Sequence, residues 1–367
     1  MRRTLITILA LIVVGCGGAD EGADTTGSSG TTGAVETTAG GDPTEATETT
    51  GASETTSVAS NTTASESTVG SQETVPVSLR LNWVVAGNHA PFYLAAQEGF
   101  WAQCGLEVSM AAGQGSGDTA QIVGTGTEEF GLTDAVSITA GRSQGLPIKS
   151  IGVVYEDNPS SLVSYAETGI TSLEDVEGMT YGAVPGGSPY LLLHALWDQL
   201  GVDVSTVREA SVPAPGIAQL KTGQADFITY FGNEAANIEL DTSLLNIVYF
   251  RDAGLESYGL ALASQDEYIE ANPSHVECMV EGVRQGLEAA QADPEAALAA
   301  LYEAVPETRE NEDVHEALLD GVFPFLGDDV LSQTAEKWAA TQDVLLDAGV
   351  IGEEVEPESL FVDVTSD

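Results

Sequence analysis

The chain has 367 residues, and 11 Lys+Arg against 57 Asp+Glu leave a formal net charge of −46. A nucleic-acid binder needs a basic footprint to release counterions, and a chain this acidic repels phosphate backbones and anionic lipid headgroups alike. Nucleic acid is therefore not expected as a partner. The acids are spread along the chain, and lysine occurs only at Lys149, Lys221 and Lys337, a pattern that reads as a heavily hydrated surface suited to a salty medium.

Arg2 and Arg3 precede an apolar run over 5–15, too short to cross a hydrocarbon core that needs about 20 residues. Residues 1–15 therefore read as a signal peptide. The run ends at Val13, Val14, Gly15 and Cys16, which resembles the bacterial lipobox. That resemblance implies cleavage before Cys16, a diacylglyceryl group on its thiol, and an extracytoplasmic chain held to the cell membrane by its lipid. Residues 17–75 are mostly Thr, Ser, Gly, Ala and Glu with no lysine, arginine or aromatic residue, so the segment 16–75 reads as a lipidated cysteine followed by a disordered linker. As a flexible coil it reaches roughly 40 to 50 Å.

The folded body begins at residue 76. Residues 77–83 alternate as a strand, and 91–103 carry apolar residues at helical spacing before Gly105. A strand over 106–111 leads through the glycine turn 113–117 into a helix from Asp118, and then come a short strand at 129–132, a helix at 135–144 and a strand at 148–155. Such alternation predicts a parallel α/β sheet. A second α/β unit follows, with a crossing strand at 162–165, strands at 179–184, 225–230 and 247–250, and a helix at 190–200. From Glu277 onward the chain reads as amphipathic helices, with Pro273, Pro294, Pro306 and Pro324 as punctuation. Two sheet units with a helical return predict two lobes and a ligand cleft between them.

Catalytic and metal motifs are sparse. Gly113 to Asp118 (GQGSGD) lies between a strand and a helix, but a dinucleotide fingerprint needs Gly or Ala where Asp118 stands, so Asp118 reads as a helix N-cap. There is no GxSxG elbow, no CxxC and no HExxH, and neither a metal nor a cofactor is expected. Cys104 and Cys278 are candidates for a disulfide in a compartment where disulfides persist. Three strand ends gather polar and aromatic residues where ligands sit at the carboxyl edge of a sheet: Asn82 and Trp83 with Asn88 and His89; Gly186, Gly187, Ser188 and Tyr190; and Tyr230, Asn233 and Glu234. Singly, Trp83 reads as core, and His89 and Glu234 as helix caps. No Lys or Arg occurs over 82–93, 182–190 or 229–234, which favours a neutral or cationic solute over a sulfonate, since an anion calls for amide nests or cations.

Together, Leu81-Asn-Trp, Asn88-His-Ala-Pro-Phe-Tyr, Glu98-Gly-Phe-Trp, Gly105-Leu-Glu-Val, Asp134-Ala-Val-Ser and Gln144-Gly-Leu-Pro-Ile resemble the substrate-binding proteins of ABC importers for thiamine-pyrimidine precursors, aliphatic sulfonates and related solutes. The resemblance covers nearly all of 77–350. It implies the α/β type II periplasmic-binding-protein fold, two lobes that close over a hinge of two crossing strands, placed near Leu162 and Gly259. Lobe I is then 76–161 plus 259–367, and lobe II is 162–258. It also implies a monomer that delivers a small solute to an ABC permease. The Asn-His-Ala-Pro-x-Tyr stretch is most similar to the pyrimidine-binding branch, in which an aminopyrimidine stacks between Trp and Tyr while a carboxylate takes its amino group. Trp83, Tyr190 or Tyr230, and Glu234 match those roles, and Asn82, Asn88, His89, Gly187, Ser188 and Asn233 complete the expected ligand set. Asn82 departs from the pattern, because many pyrimidine binders have Asp there. A sulfonate, a nitrate-like anion or a flavin is the alternative ligand for the same fold, and a non-transporting sensor lipoprotein is an alternative use of it. The related fungal pyrimidine synthases share the fold and the His of this stretch but use a cysteine-rich segment and iron. No cysteine lies between Cys104 and Cys278, which disfavours the enzyme reading and leaves His89 as a ligand contact or a loop brace.

Overall fold

The computed structural model describes residues 74–185 and 187–364. The signal peptide, Cys16, the linker up to residue 73 and Gly186 lie outside the described residues. The body opens with strand β1 (Val75–Arg80), a 3-10 turn (Gly87–His89), helices α1 (Ala90–Gln97) and α2 (Phe100–Gln103), and strand β2 (Leu106–Ala111). The single helix expected over 91–103 is two helices. Gly99 at φ +70° takes the left-handed conformation that favours glycine and turns the chain, and Trp101 is thereby driven into the core. Helix α3 (Ser116–Gly124), strand β3 (Phe130–Asp134), helix α4 (Ala135–Ser143) and strand β4 (Ile148–Val153) complete the first half. Next come β5 (Ser160–Tyr165), β6 (Thr180–Ala183), α5 (Ser188–Leu200), β7 (Arg208–Ser211), α6 (Ile217–Lys221), β8 (Phe227–Phe231), β9 (Leu245–Tyr249) and β10 (Leu260–Gln265). The return is helical: α7 (Asp266–Ala271), α8 (Pro273–Ala292), α9 (Pro294–Ala304), α10 (Glu312–Asp320) and α11 (Ala335–Asp347).

The strands form two five-stranded sheets, β2-β1-β3-β10-β4 and β7-β6-β8-β5-β9. Neither is wholly parallel, contrary to the expectation from alternation. In the first sheet β10 runs antiparallel to β3 and β4, and in the second β5 runs antiparallel to β8 and β9. Each odd strand is the one that has just crossed from the other lobe, so it enters its sheet against the direction of the resident strands. Periodicity reports which face a strand buries and says nothing about the direction of its neighbours. The result is the type II periplasmic-binding-protein fold, two lobes with a hinge of two crossing strands.

The crossing segments are laced together. Gly259 N donates to Tyr155 O at 2.9 Å, Asn158 Nδ2 donates to Tyr258 O at 3.1 Å, and Ser160 N donates to Asn158 Oδ1 at 2.9 Å. A Cβ at Gly259 would stand 2.7 Å from Asp157 O, so glycine lets the two crossings pass this closely. Lobe I packs Leu79, Trp101, Phe130 and Leu262 into its core, and lobe II packs Tyr181, Trp197, Phe227 and Phe250. Helix α11 belongs to both: Trp338 is buried with lobe I residues, whereas Leu345 and the following Ile351 are buried in the core of lobe II. Cys104 and Cys278 are joined by a disulfide with Cα atoms 5.7 Å apart, tying the end of α2 to α8.

Candidate functional site

A cleft of about 320 Å³ lies between the lobes. Lobe I lines it with Asn82, Trp83, the turn Gln114 to Asp118, and Asp134. Lobe II supplies Val184, Pro185, Gly187 to Tyr190, Ala214, Pro215, Thr229, Tyr230, Phe231 and Glu234. These are the carboxyl ends of β1, β2, β3, β6, β7 and β8 or the loops that follow them, which is where open α/β sheets bind ligands. Trp83 is only partly buried. Its backbone O accepts from Gly113 N at 2.9 Å, and its ring lies over the glycine turn, with Cζ3 3.8 Å from where a Cβ on Gly115 would be. Across the cleft Tyr190 is also partly buried and is backed by Tyr181, with centroids 6.1 Å apart and planes 17° apart, and by His194 at 4.4 Å. Tyr230 is 9 % exposed, and its hydroxyl accepts from Asn237 Nδ2 at 3.2 Å. Trp83 and Tyr190 are thus partly buried aromatic side chains that line the cleft from opposite lobes, and Phe231 of lobe II is a third partly buried ring in its lining.

Asn88, His89 and Asn233, expected as ligand contacts, lie behind the cleft wall and not on it. His89 is 1 % exposed, and burial lowers its pKa to about 4, so the ring is neutral. Its Nδ1 lies 3.2 Å from Ala86 N and accepts that proton, which leaves Nε2 as the donor to Asn82 Oδ1 at 3.0 Å. The tautomer therefore fixes the Asn82 amide, whose Nδ2 donors remain for the cleft that Asn82 lines. His89 is the loop brace rather than a contact. The pattern Asn-His-Ala-Pro encodes a wall that is held from behind.

Asn88 reaches across the lobes and donates from Nδ2 to Glu234 Oε1 at 3.0 Å. Glu234 is 6 % exposed and sits in the 3-10 turn Gly232–Asn237; it does not cap a longer helix. Burial raises its pKa to about 7, because one neutral amide does not replace lost hydration. The same burial, with the nearby Glu234 charge, raises Tyr155 and Tyr230 well above the ordinary phenol value. Asn233 Nδ2 donates to Gly321 O, 3.3 Å away at the end of α10. There Ala86, Ala236 and Leu318 form a small apolar cluster between the lobes.

Asp134 was not among the expected site residues. It is 2 % exposed at the end of β3, where every residue is buried. Its Oδ1 accepts from Ser137 N at 2.7 Å and so caps α4, and its Oδ2 accepts from Ser188 Oγ of lobe II at 2.6 Å. Asp118, expected as an N-cap, instead lies in the first turn of α3 behind the cap Gly115. The carboxylates Asp118, Asp134 and Glu234 line the cleft, and no Lys, Arg or His does among the described residues.

The NMT1/THI5 like family matches this chain over residues 86–297, most of both lobes. The chain belongs to that family. Among relatives of this NMT1/THI5-like protein, a 4-amino-5-hydroxymethyl-2-methylpyrimidine phosphate synthase of Legionella pneumophila is 23 % identical over 68 % of this chain and 79 % of its own. A riboflavin-binding protein of Chloroflexus aurantiacus is 25 % identical over 78 % and 84 %. A formylaminopyrimidine-binding protein of Halalkalibacterium halodurans is 26 % identical over 61 % and 69 %. Among solved structures, the alkanesulfonate-binding protein of Xanthomonas axonopodis pv. citri, bound to MOPS, superposes with a TM-score of 0.63 at 14 % identity, covering 79 % of this chain and 99 % of that one. At that identity the superposition speaks for the fold alone. The relatives of this chain thus include proteins named as binding proteins and proteins named as synthases.

Proposed function

We propose that this NMT1/THI5-like protein is the extracytoplasmic, lipid-anchored binding component of an ABC importer, and that its cleft takes a small flat heterocycle of the aminopyrimidine type. The observation that carries the reading is the cleft itself: partly buried aromatic rings from opposite lobes, Trp83 and Tyr190, with a buried carboxylate, Glu234, whose pKa is raised to about 7. Stacking suits a planar ring, and a carboxylate pairs with the adjacent donors of an amidine edge. A bound donor edge favours ionised Glu234 and so draws the lobes together over it. That no Lys, Arg or His among the described residues lines the cleft speaks against a sulfonate. A cleft of about 320 Å³ is at the small end for ligand sites, which suits one ring better than a flavin.

The synthase reading is favoured by the names of several relatives. Against it, His89 is walled off from the cleft and carries no lone pair toward it. The anchoring part of the proposal rests on the sequence at Cys16, and Cys16→Ser is expected to release the chain from membranes.

The test is thermal unfolding of the full chain with aminopyrimidines, flavins and sulfonates. A ligand at 100 times its dissociation constant stabilises by about 2.7 kcal/mol, a rise of several degrees in melting temperature. A rise with an aminopyrimidine that is lost in Trp83→Ala and Glu234→Gln supports the reading. A rise with sulfonates or flavins alone sinks the ligand assignment, and pyrimidine phosphate formed by the purified protein sinks the non-enzymatic one.

A further inference from the structure

The heterocycle reading leaves open what the ring carries, and the cleft's electrostatics answer that. Two helices of full length aim their N-termini at the cleft, α3 with Gly115, Ser116 and Gly117, and α5 with Gly187 and Ser188. Free helix N-termini are anion sites, because unpaired amides and the helix dipole both favour negative charge. Here each already has its own carboxylate: Asp118 lies in the first turn of α3, and Asp134 takes the Ser188 hydroxyl at the start of α5. A ligand phosphate or sulfonate would meet carboxylates at both places. Asp134 also retains acceptor capacity. Each of its oxygens receives one hydrogen bond, from Ser137 N and Ser188 Oγ, and a carboxylate accepts about four.

We infer that the cleft selects by charge as well as by ring: its solute carries a protonated amine, and Asp134 is the residue that reads it. This rests on the heterocycle reading and deepens it. Glu234, in lobe II, takes the ring's donor edge; Asp134, in lobe I, takes the ammonium. The ammonium joins Ser188 on one carboxylate, so the same group that recognises the substituent holds the lobes together. A hydroxymethyl group in its place offers a single neutral donor, and a phosphate ester is repelled by Asp118 and Asp134 together.

The experiment is isothermal titration of the full chain, at pH 8, with three compounds that share the 4-amino-2-methylpyrimidine ring and differ at position 5: aminomethyl, hydroxymethyl and the phosphate ester of the latter. The expected order is aminomethyl at least tenfold tighter than hydroxymethyl, with the phosphate ester weakest. In Asp134→Asn the amine's advantage over the alcohol falls to within about threefold, beyond any loss of affinity common to both compounds from weakening the bond to Ser188, as expected when a charge-assisted hydrogen bond becomes a neutral one. Equal binding of the amine and the alcohol, or tightest binding of the phosphate, overturns the charge inference and leaves the ring reading standing. Failure of all three to bind overturns the ring reading, and this inference with it. Should Asp134→Asn not fold, the wild-type protein still decides: raising the pH through the ligand ammonium's own titration removes the advantage, and an advantage that persists overturns the assignment.

Discussion

The two walls of the cleft are built on different plans. On the lobe I side His89 is satisfied at home, on Ala86 and Asn82, while Asp134 divides its bonds between its own helix, through Ser137, and Ser188 of lobe II. On the lobe II side the side-chain bonds of Ser188, Glu234 and Asn233 all run to the other lobe, to Asp134, Asn88 and Gly321. The part of the lobe I wall that His89 braces stands whether the cleft is open or shut, whereas the bonds of Ser188, Glu234 and Asn233 are completed only on closure. Opening returns Ser188 and Glu234 to water, and whatever favours ionised Glu234 without a partner favours opening.

Breaking the self-sufficient wall has the largest expected effect. His89→Ala leaves Ala86 N and Asn82 Oδ1 without partners and creates a cavity, and is expected to cost about 3 to 5 kcal/mol in urea unfolding, with ligand affinity lost as well. Next comes the titration of Glu234. Its folded pKa, about 7, lies above its unfolded value of 4.5, so the folded state binds more protons in that window. Its stabilising contribution is present below pH 4.5 and is lost as the pH rises through 7, on the order of 3 kcal/mol in all. His89 runs the other way: its pKa falls from 6.5 to about 4, so stability is lost as the pH falls through that range. The two slopes oppose one another in wild type. Between pH 4.5 and 7.5, the stability difference between Glu234→Gln and wild type should move by about 3 kcal/mol in the variant's favour, read from urea midpoints. A pH-independent difference would mean that Glu234 is hydrated in the ligand-free protein.

Smaller effects separate closure from folding. A Cβ on Gly321 would overlap Asn233 O across the lobes, so Gly321→Ala is expected to hold the lobes apart. Small-angle scattering should show a larger radius of gyration at a stability loss of only about 1 to 3 kcal/mol. An unchanged radius would show that the α10 contact does not govern closure. Ser188→Ala removes one interlobe hydrogen bond and should weaken ligand binding by about 1 kcal/mol, roughly fivefold, without changing the urea midpoint of either lobe.

Much of this was legible in the sequence. Strand β2 was readable to its ends because its flanking Gly105 and Gly113 mark them, and Trp83, Tyr190 and Glu234 stood out as unusual residues at strand ends. Strand β7 was missed because Arg208–Ser211 is an edge strand exposed at every position and carries no apolar alternation. Asp134, at the end of β3 and just before α4, has the local pattern of a helix cap and is one, so nothing in its neighbourhood marks it as a cleft residue. Its second partner lies 54 residues away, just as the partner of Asn88 lies 146 residues away. Local patterns identify which groups are polar and buried; which of them face solvent in the cleft is decided by pairings across the lobes that no spacing encodes.

The chain's four tryptophans are Trp83, Trp101, Trp197 and Trp338, and the last three are at most 2 % exposed. Only Trp83 meets the cleft. The protein thus carries its own optical reporter: a change in indole emission on adding a solute comes from one known ring, three silent rings supply a constant background, and occupancy can be followed in real time without a label.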